Sequence, residues 1–62
     1  IIRRIIEQLP PLQREIIRMK DMEEYEVDEI ADITGTKPDA VRMNLSRARK
    51  KVREEFLKWN SV

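Results

Sequence analysis

Cysteine and histidine are both missing from these 62 residues. No disulfide can staple the fold, and no zinc site built on those ligands can form. Packing must hold the chain alone, and at this length one core contributes only about 3–5 kcal/mol. No apolar run approaches the ~20 residues that span a bilayer, and no signal-peptide pattern opens the chain, so the expectation is a soluble intracellular protein. A chain that opens Ile1-Ile2-Arg3-Arg4 is expected to be a single domain, 1–62, cut from something longer. Without His, Cys or a glycine-rich loop, an enzyme is the weakest of the functional classes. The acidic run lacks metal-loop spacing and reads as a solvated face or a partner surface.

The charge that is present is sorted along the chain. Net charge is only +1, yet Asp21, Glu23, Glu24, Glu26, Asp28, Glu29 and Asp32 crowd residues 21–32 with no base among them. Residues 42–53 reverse this with Arg42, Arg47, Arg49, Lys50, Lys51 and Arg53 and no acid. A basic block inside a helical pattern is the electrostatic footprint of a nucleic-acid binder, and on charge alone it is equally that of a solvated helix face.

Glycine and proline, four residues together, punctuate four helices. Ile2, Ile5, Ile6 and Leu9 recur at helical spacing, and the first helix must end before Pro10, which disfavours helical geometry in its predecessor. Pro11 suits the first turn of a second helix that buries Leu12, Ile16 and Met19, with Ile17 on an adjacent stripe, and runs to about Met22. Val27, Ile30, Ala31 and Thr34 define a short third helix. Gly35, the only glycine, fits the left-handed position after its last turn. Thr36 and Lys37 turn the chain, and Pro38 starts the fourth helix with Asp39 at the positive end of its dipole.

The third and fourth helices form a helix-turn-helix: Ala31 permits close approach, Gly35 supplies the turn, and Val41 locks the crossing. The fold class is therefore all-α, a four-helix domain containing a helix-turn-helix, with winged elements absent. At 100° per residue, Val41, Leu45, Ala48, Val52 and Phe56 share one apolar sector of the fourth helix, which Trp59 extends. Arg42, Met43, Ser46, Arg47, Arg49, Lys50 and Arg53 lie outside it. In a major groove, Arg42 and Arg47 can each reach guanine O6 and N7, Met43 a thymine methyl, and Ser46 either partner. For each arginine the alternative is a phosphate contact or a solvated side chain.

The runs Glu29-Ile30-Ala31-Asp32-Ile33-Thr34-Gly35 and Val41-Arg42-Met43-Asn44-Leu45-Ser46-Arg47-Ala48-Arg49 resemble region 4 of bacterial RNA polymerase sigma factors. Leu45-Ser46-Arg47-Ala48-Arg49 is similar to the extracytoplasmic-function (ECF) subgroup in particular, and Leu9-Pro10 and Gln13-Arg14-Glu15 match the family's opening. The resemblance implies a cytoplasmic bacterial protein that reads the minus-35 promoter element in transcription initiation. Its partners would be double-stranded promoter DNA, the β-subunit flap of RNA polymerase core, and an anti-sigma factor. By position, Arg42, Met43, Ser46 and Arg47 would face bases, and Lys20, Lys37 and Arg49 would lie near phosphates. Lys50 comes a turn or more later, where the helix leaves the groove and passes the backbone.

Departures accompany the match. Glu26 and Lys37 stand where the family often has Ser, so both helix starts are expected to lose a cap, at about 1 kcal/mol each. Val27 stands where an aromatic is common, so a phosphate contact is expected to be missing. Helices one and two carry a surplus of apolar residues (Ile1, Ile2, Ile5, Ile6, Leu9, Leu12, Ile16, Ile17), which marks a binding surface for the flap helix with Ile6 and Ile17 as its contacts. Two other classes remain: a helix-turn-helix regulator of the response-regulator effector type, which would dimerise on two half-sites, and a helical protein-interaction module whose basic block only solubilises it.

Overall fold

A computed structural model describes residues 2–60, with Asn60 by its backbone alone. Ile1, one of the surplus apolar residues, lies outside the described residues. The elements are α1 (Ile2–Glu7), α2 (Pro11–Ile17), α3 (Val27–Thr34) and α4 (Pro38–Asn60), with a π-helical turn, Arg18–Met22, continuing α2. No strand occurs among the described residues, so no wing flanks the helix-turn-helix.

Helix starts and stops follow local chemistry. After α1, Gln8 and Leu9 donate their N–H groups to the carbonyls of Ile5 and Ile6, both at 3.1 Å, a tighter turn that brings the chain to Pro10. Pro11 occupies the first position of α2, where its missing N–H costs nothing. Arg14 reaches back from α2 to donate to the Glu7 carbonyl at 3.3 Å, satisfying an end of α1.

The second helix ends differently from its expected plain stop near Met22. Its last turn widens into π geometry, with Glu23 N–H on the Arg18 carbonyl at 3.0 Å and Tyr25 N–H on the Met19 carbonyl at 2.9 Å. Glu24 takes φ 61°, the one described non-glycine residue in the left-handed region. It does what glycine does in an ordinary helix terminator, at a steric cost to its Cβ.

Gly35 makes the corresponding stop for α3 at φ 68° and ψ 27°, its N–H on the Ala31 carbonyl. Thr36 N–H reaches the same carbonyl at 3.0 Å. The start of α3 is not left open as the absence of Ser at residue 26 suggested: Glu29 accepts the Glu26 backbone N–H at 3.0 Å, a capping-box contact. At the next junction Val41 N–H donates to the Lys37 carbonyl at 3.0 Å, and Asp39 lies in the first turn of α4.

Ile16, Ile30 and Val41, one from each of α2, α3 and α4, are the largest fully buried side chains. Leu9, Ile17, Ala31, Leu45 and Ala48 complete the cluster, with Ile6, Met19, Tyr25, Val27 and Val52 packed at its edge. Three expected core residues face out: Leu12 is 39% exposed, Phe56 38% and Trp59 51%. Phe56 and Trp59 lie on the core-facing stripe but past the closed core, Phe56 on the edge of an open groove beside α1. Leu12 sits in the first turn of α2. Ile17 errs the other way, at 5% exposed.

The two left-handed residues give a paired expectation. Nothing lies within 4 Å of a Cβ built on Gly35, so Gly35→Ala carries only the conformational penalty. It is expected to lower unfolding free energy by about 1 kcal/mol, while Glu24→Gly raises it by a similar amount. Urea denaturation of the two variants checks this, and a destabilised Glu24→Gly would contradict the strain at that residue.

Candidate nucleic-acid interface

The packing of α4 against α2 and α3 decides which of its side chains reach outward. Val41, Leu45 and Ala48 are consumed by the core, and one turn of helix carries the chain through the opposite side between each pair. Arg42, Met43, Ser46 and Arg47 are all exposed there, as are Arg49 and Lys50. The four residues expected to face bases thus lie on one accessible surface, within an arc of about 140° of the helix circumference at 100° per residue.

Their surroundings differ. Arg42 donates to Asp39 at 3.0 Å, a pair formed within the first turns of α4 and open to solvent. Among the described residues Arg47, Lys50 and Arg53 have no such partner. A surface pair of the Arg42–Asp39 kind contributes about 0–1 kcal/mol, so an incoming acceptor displaces it at little cost.

Arg49 is held more firmly. It crosses from α4 to the π-helical turn and grips Asp21, Nη2 to Oδ1 at 2.6 Å and Nε to Oδ2 at 3.4 Å. The hydrogen bond that Arg49 donates to Asp21, reinforced by the carboxylate's charge, holds the guanidinium above its ordinary pKa. Arginine is ionised at working pH in any case, so the contact fixes geometry and not protonation. A 28-residue separation hides such a pair from helical periodicity.

The other predicted contacts are scattered. Lys37 is exposed immediately before α4, next to the first turn. Lys20 is half-buried on the π-helical turn, next to the Asp21 that pairs with Arg49. Val27 packs at the edge of the core.

Of the two residues expected to meet a polymerase helix, only Ile6 is accessible. Ile17 is buried in the core cluster, so a charged residue there would unfold the domain before it tested any binding surface. An apolar groove nonetheless exists at this end, between α1, the π-helical turn and the far half of α4, lined by Ile2, Ile6, Met22, Val52 and Phe56 with Ile17 behind them. Met22 and Phe56 were missed because neither belongs to the first two helices' expected stripe. Arg49, Arg53 and Asp21 edge the groove.

Asp21→Asn is expected to reduce stability by under about 1 kcal/mol, because the Arg49–Asp21 pair is 52% and 43% exposed. Thermal melts at low and high salt check this; a loss that persists undiminished at high salt would show that Asp21 does more than pair a charge.

Comparison with known proteins bears on this arrangement. Residues 1–52 match the family described as Sigma-70, region 4, which takes in all four helix starts, the turn at Gly35 and the exposed basic face as far as Lys51. No curated protein and no solved structure gives a match. Among the described residues no helix is long and apolar enough to cross a membrane. The chain belongs to the Sigma-70, region 4 family and is a DNA-binding domain of the sigma-factor type.

Proposed function

We propose that this chain recognises the minus-35 promoter element in transcription initiation, as part of an ECF-type sigma factor acting in the bacterial cytoplasm. One observation carries the reading: the exposed side of α4 presents Arg42, Met43, Ser46 and Arg47 together, opposite the stripe that the core consumes. An α-helix fits the major groove, and its first half brings side chains to base edges. In this reading Arg42 and Arg47 take guanine edges, Met43 a thymine methyl and Ser46 a hydrogen bond. Lys37, Lys50 and, after exchange from Asp21, Arg49 take phosphates. Lys20 is the weakest of the backbone contacts, being half-buried.

The partner surface is the apolar groove. Ile6 and Phe56 flank it, and its apolar lining suits a helix presented by the β-subunit flap of RNA polymerase. An anti-sigma factor that occupied the same groove would compete with polymerase.

Two experiments test these assignments, both with the protein bound to polymerase core. Arg42→Ala and Arg47→Ala are each expected to cost about 1–3 kcal/mol in promoter binding and to relax preference at one base pair. Lys50→Ala weakens all sequences alike and lowers the salt slope by about 1. Binding to a library of minus-35 variants at several salt concentrations separates the two patterns; a retained base preference in both arginine variants would refute the base-reading role. Separately, Ile6→Glu is expected to weaken core association at least about fivefold. Native circular dichroism together with unchanged core affinity would remove the groove from the polymerase interface.

A further inference from the structure

The crest of α4 has a furrow on each side. One contains Arg42, Ser46, Arg49, Lys50 and Arg53 and belongs to the face already described. The other runs between α4 and the α1–α2 junction, with Arg47, Lys50 and Lys51 on one wall and Gln8 and Gln13 on the other, over a floor of Ile5, Leu9 and Pro10. Lys50 lines both. The crest that bears the base-reading residues is therefore bordered by cations on either side.

That geometry has a counterpart in DNA. A helix lying in the major groove has a sugar–phosphate strand along each flank. We infer that the furrow between α4 and the α1–α2 junction seats the backbone of one strand, with Gln8 and Gln13 donating their carboxamide N–H groups to a phosphate that Lys50 and Lys51 neutralise from the other side. This rests on the reading of α4 as the DNA-reading helix.

Three observations support the assignment. The furrow is continuous with the reading face, since Arg47 belongs to both. Gln8 and Gln13 make no side-chain hydrogen bond among the described residues, so their donors are available, and carboxamides are common phosphate ligands. Lys51 is steadied by Glu55, which accepts from it at 3.2 Å and from Lys58 at 3.4 Å; those hydrogen bonds, Lys51's first, hold the Glu55 carboxyl below the usual carboxylate range. Glu54 lines the furrow as its one acid and opposes phosphate there, so the net positive charge of the lining comes from Arg47, Lys50 and Lys51.

The test is phosphate-by-phosphate neutralisation. Promoter duplexes carrying one methylphosphonate linkage at successive positions are bound to polymerase holoenzyme containing either the parent protein or the double variant Gln8→Ala, Gln13→Ala. The expected result is a phosphate whose neutralisation weakens the parent but not the double variant. The variant itself binds about five- to tenfold more weakly, with unchanged base preference. Gln8→Lys provides a gain that misfolding cannot imitate: tighter binding to every sequence and a salt slope steeper by about 0.9.

An identical neutralisation pattern in parent and double variant, or no gain from Gln8→Lys, overturns the furrow assignment while leaving the reading of α4 untouched. Weakened association with polymerase core and an unchanged phosphate pattern also overturns it, and assigns the furrow to an acidic protein segment. Failure of the minus-35 reading has a different signature, the retained base preference of the arginine variants, and leaves a phosphate-seating furrow on a non-specific DNA binder.

Discussion

Everything the DNA-facing surface does depends on one packing contact, the meeting of Ile16, Ile30 and Val41 at the centre of the core. Each comes from a different helix, and their mutual burial fixes the rotation of α4 about its own axis. Rotate α4 by one residue, 100°, and Arg42 would turn into the core while Val41 faced water. No disulfide or metal shares the task, and a domain this small has few kcal/mol in reserve. Reading DNA with side chains demands placement to within hydrogen-bond tolerance, so the apolar contact behind the helix sets the precision of the polar contacts in front of it.

The turn that joins α3 to α4 was legible because its residues have few alternatives. A lone glycine after a helical stripe, then a proline, specify a left-handed stop and a helix start. The structure places both where the residues demand, with Gly35 at φ 68° and Pro38 opening α4. The end of α2 was not legible. Glutamate in the left-handed region carries no compositional signature, and the π-helical turn before it arises from how α2 must bend to bring Met19 and Tyr25 against the core. Glu29's capping contact with Glu26 was hidden similarly, since the expected Ser was sought at the cap and the reaching side chain came from three residues on.

Periodicity also says which face of a helix is apolar without saying how far the partner extends. α4 has 23 residues, about 34 Å of helix at 1.5 Å per residue. The helices packed against it have six to eight. Its stripe therefore outruns the closed core after Val52: Phe56, on the stripe by angle, only lines the open groove with Ile2 and Ile6, and Trp59 is 51% exposed. The same excess creates the apolar groove beside Ile2, Ile6 and Phe56. The exposure of Arg42, Met43, Ser46 and Arg47 was readable because it follows from the core stripe by exclusion. The groove and the furrow were not, because each needs the distance between helices remote in sequence.

The segregation of charge along the chain acquires a structural sense once the pairs are known. Most of the acidic stretch stays exposed, yet Asp21 closes on Arg49, and Asp39 from outside that stretch closes on Arg42. Two of the arginines on the exposed side of α4 are thus already matched by acids, while Arg47, Lys50 and Arg53 are unmatched among the described residues. Each internal pair is worth about 0–1 kcal/mol, whereas neutralising a phosphate releases a counterion and contributes to affinity in a salt-dependent way. Exchange from carboxylate to phosphate is therefore favourable but reduced by the pair given up. On the proposed reading, affinity for arbitrary DNA would be held down at the matched arginines, and discrimination would depend on the unmatched Arg47 and on whichever bases offer Arg42 a better acceptor than Asp39. An excess of cations alone would have strengthened binding to every sequence equally; interleaving acids with them shifts the balance from holding DNA toward reading it.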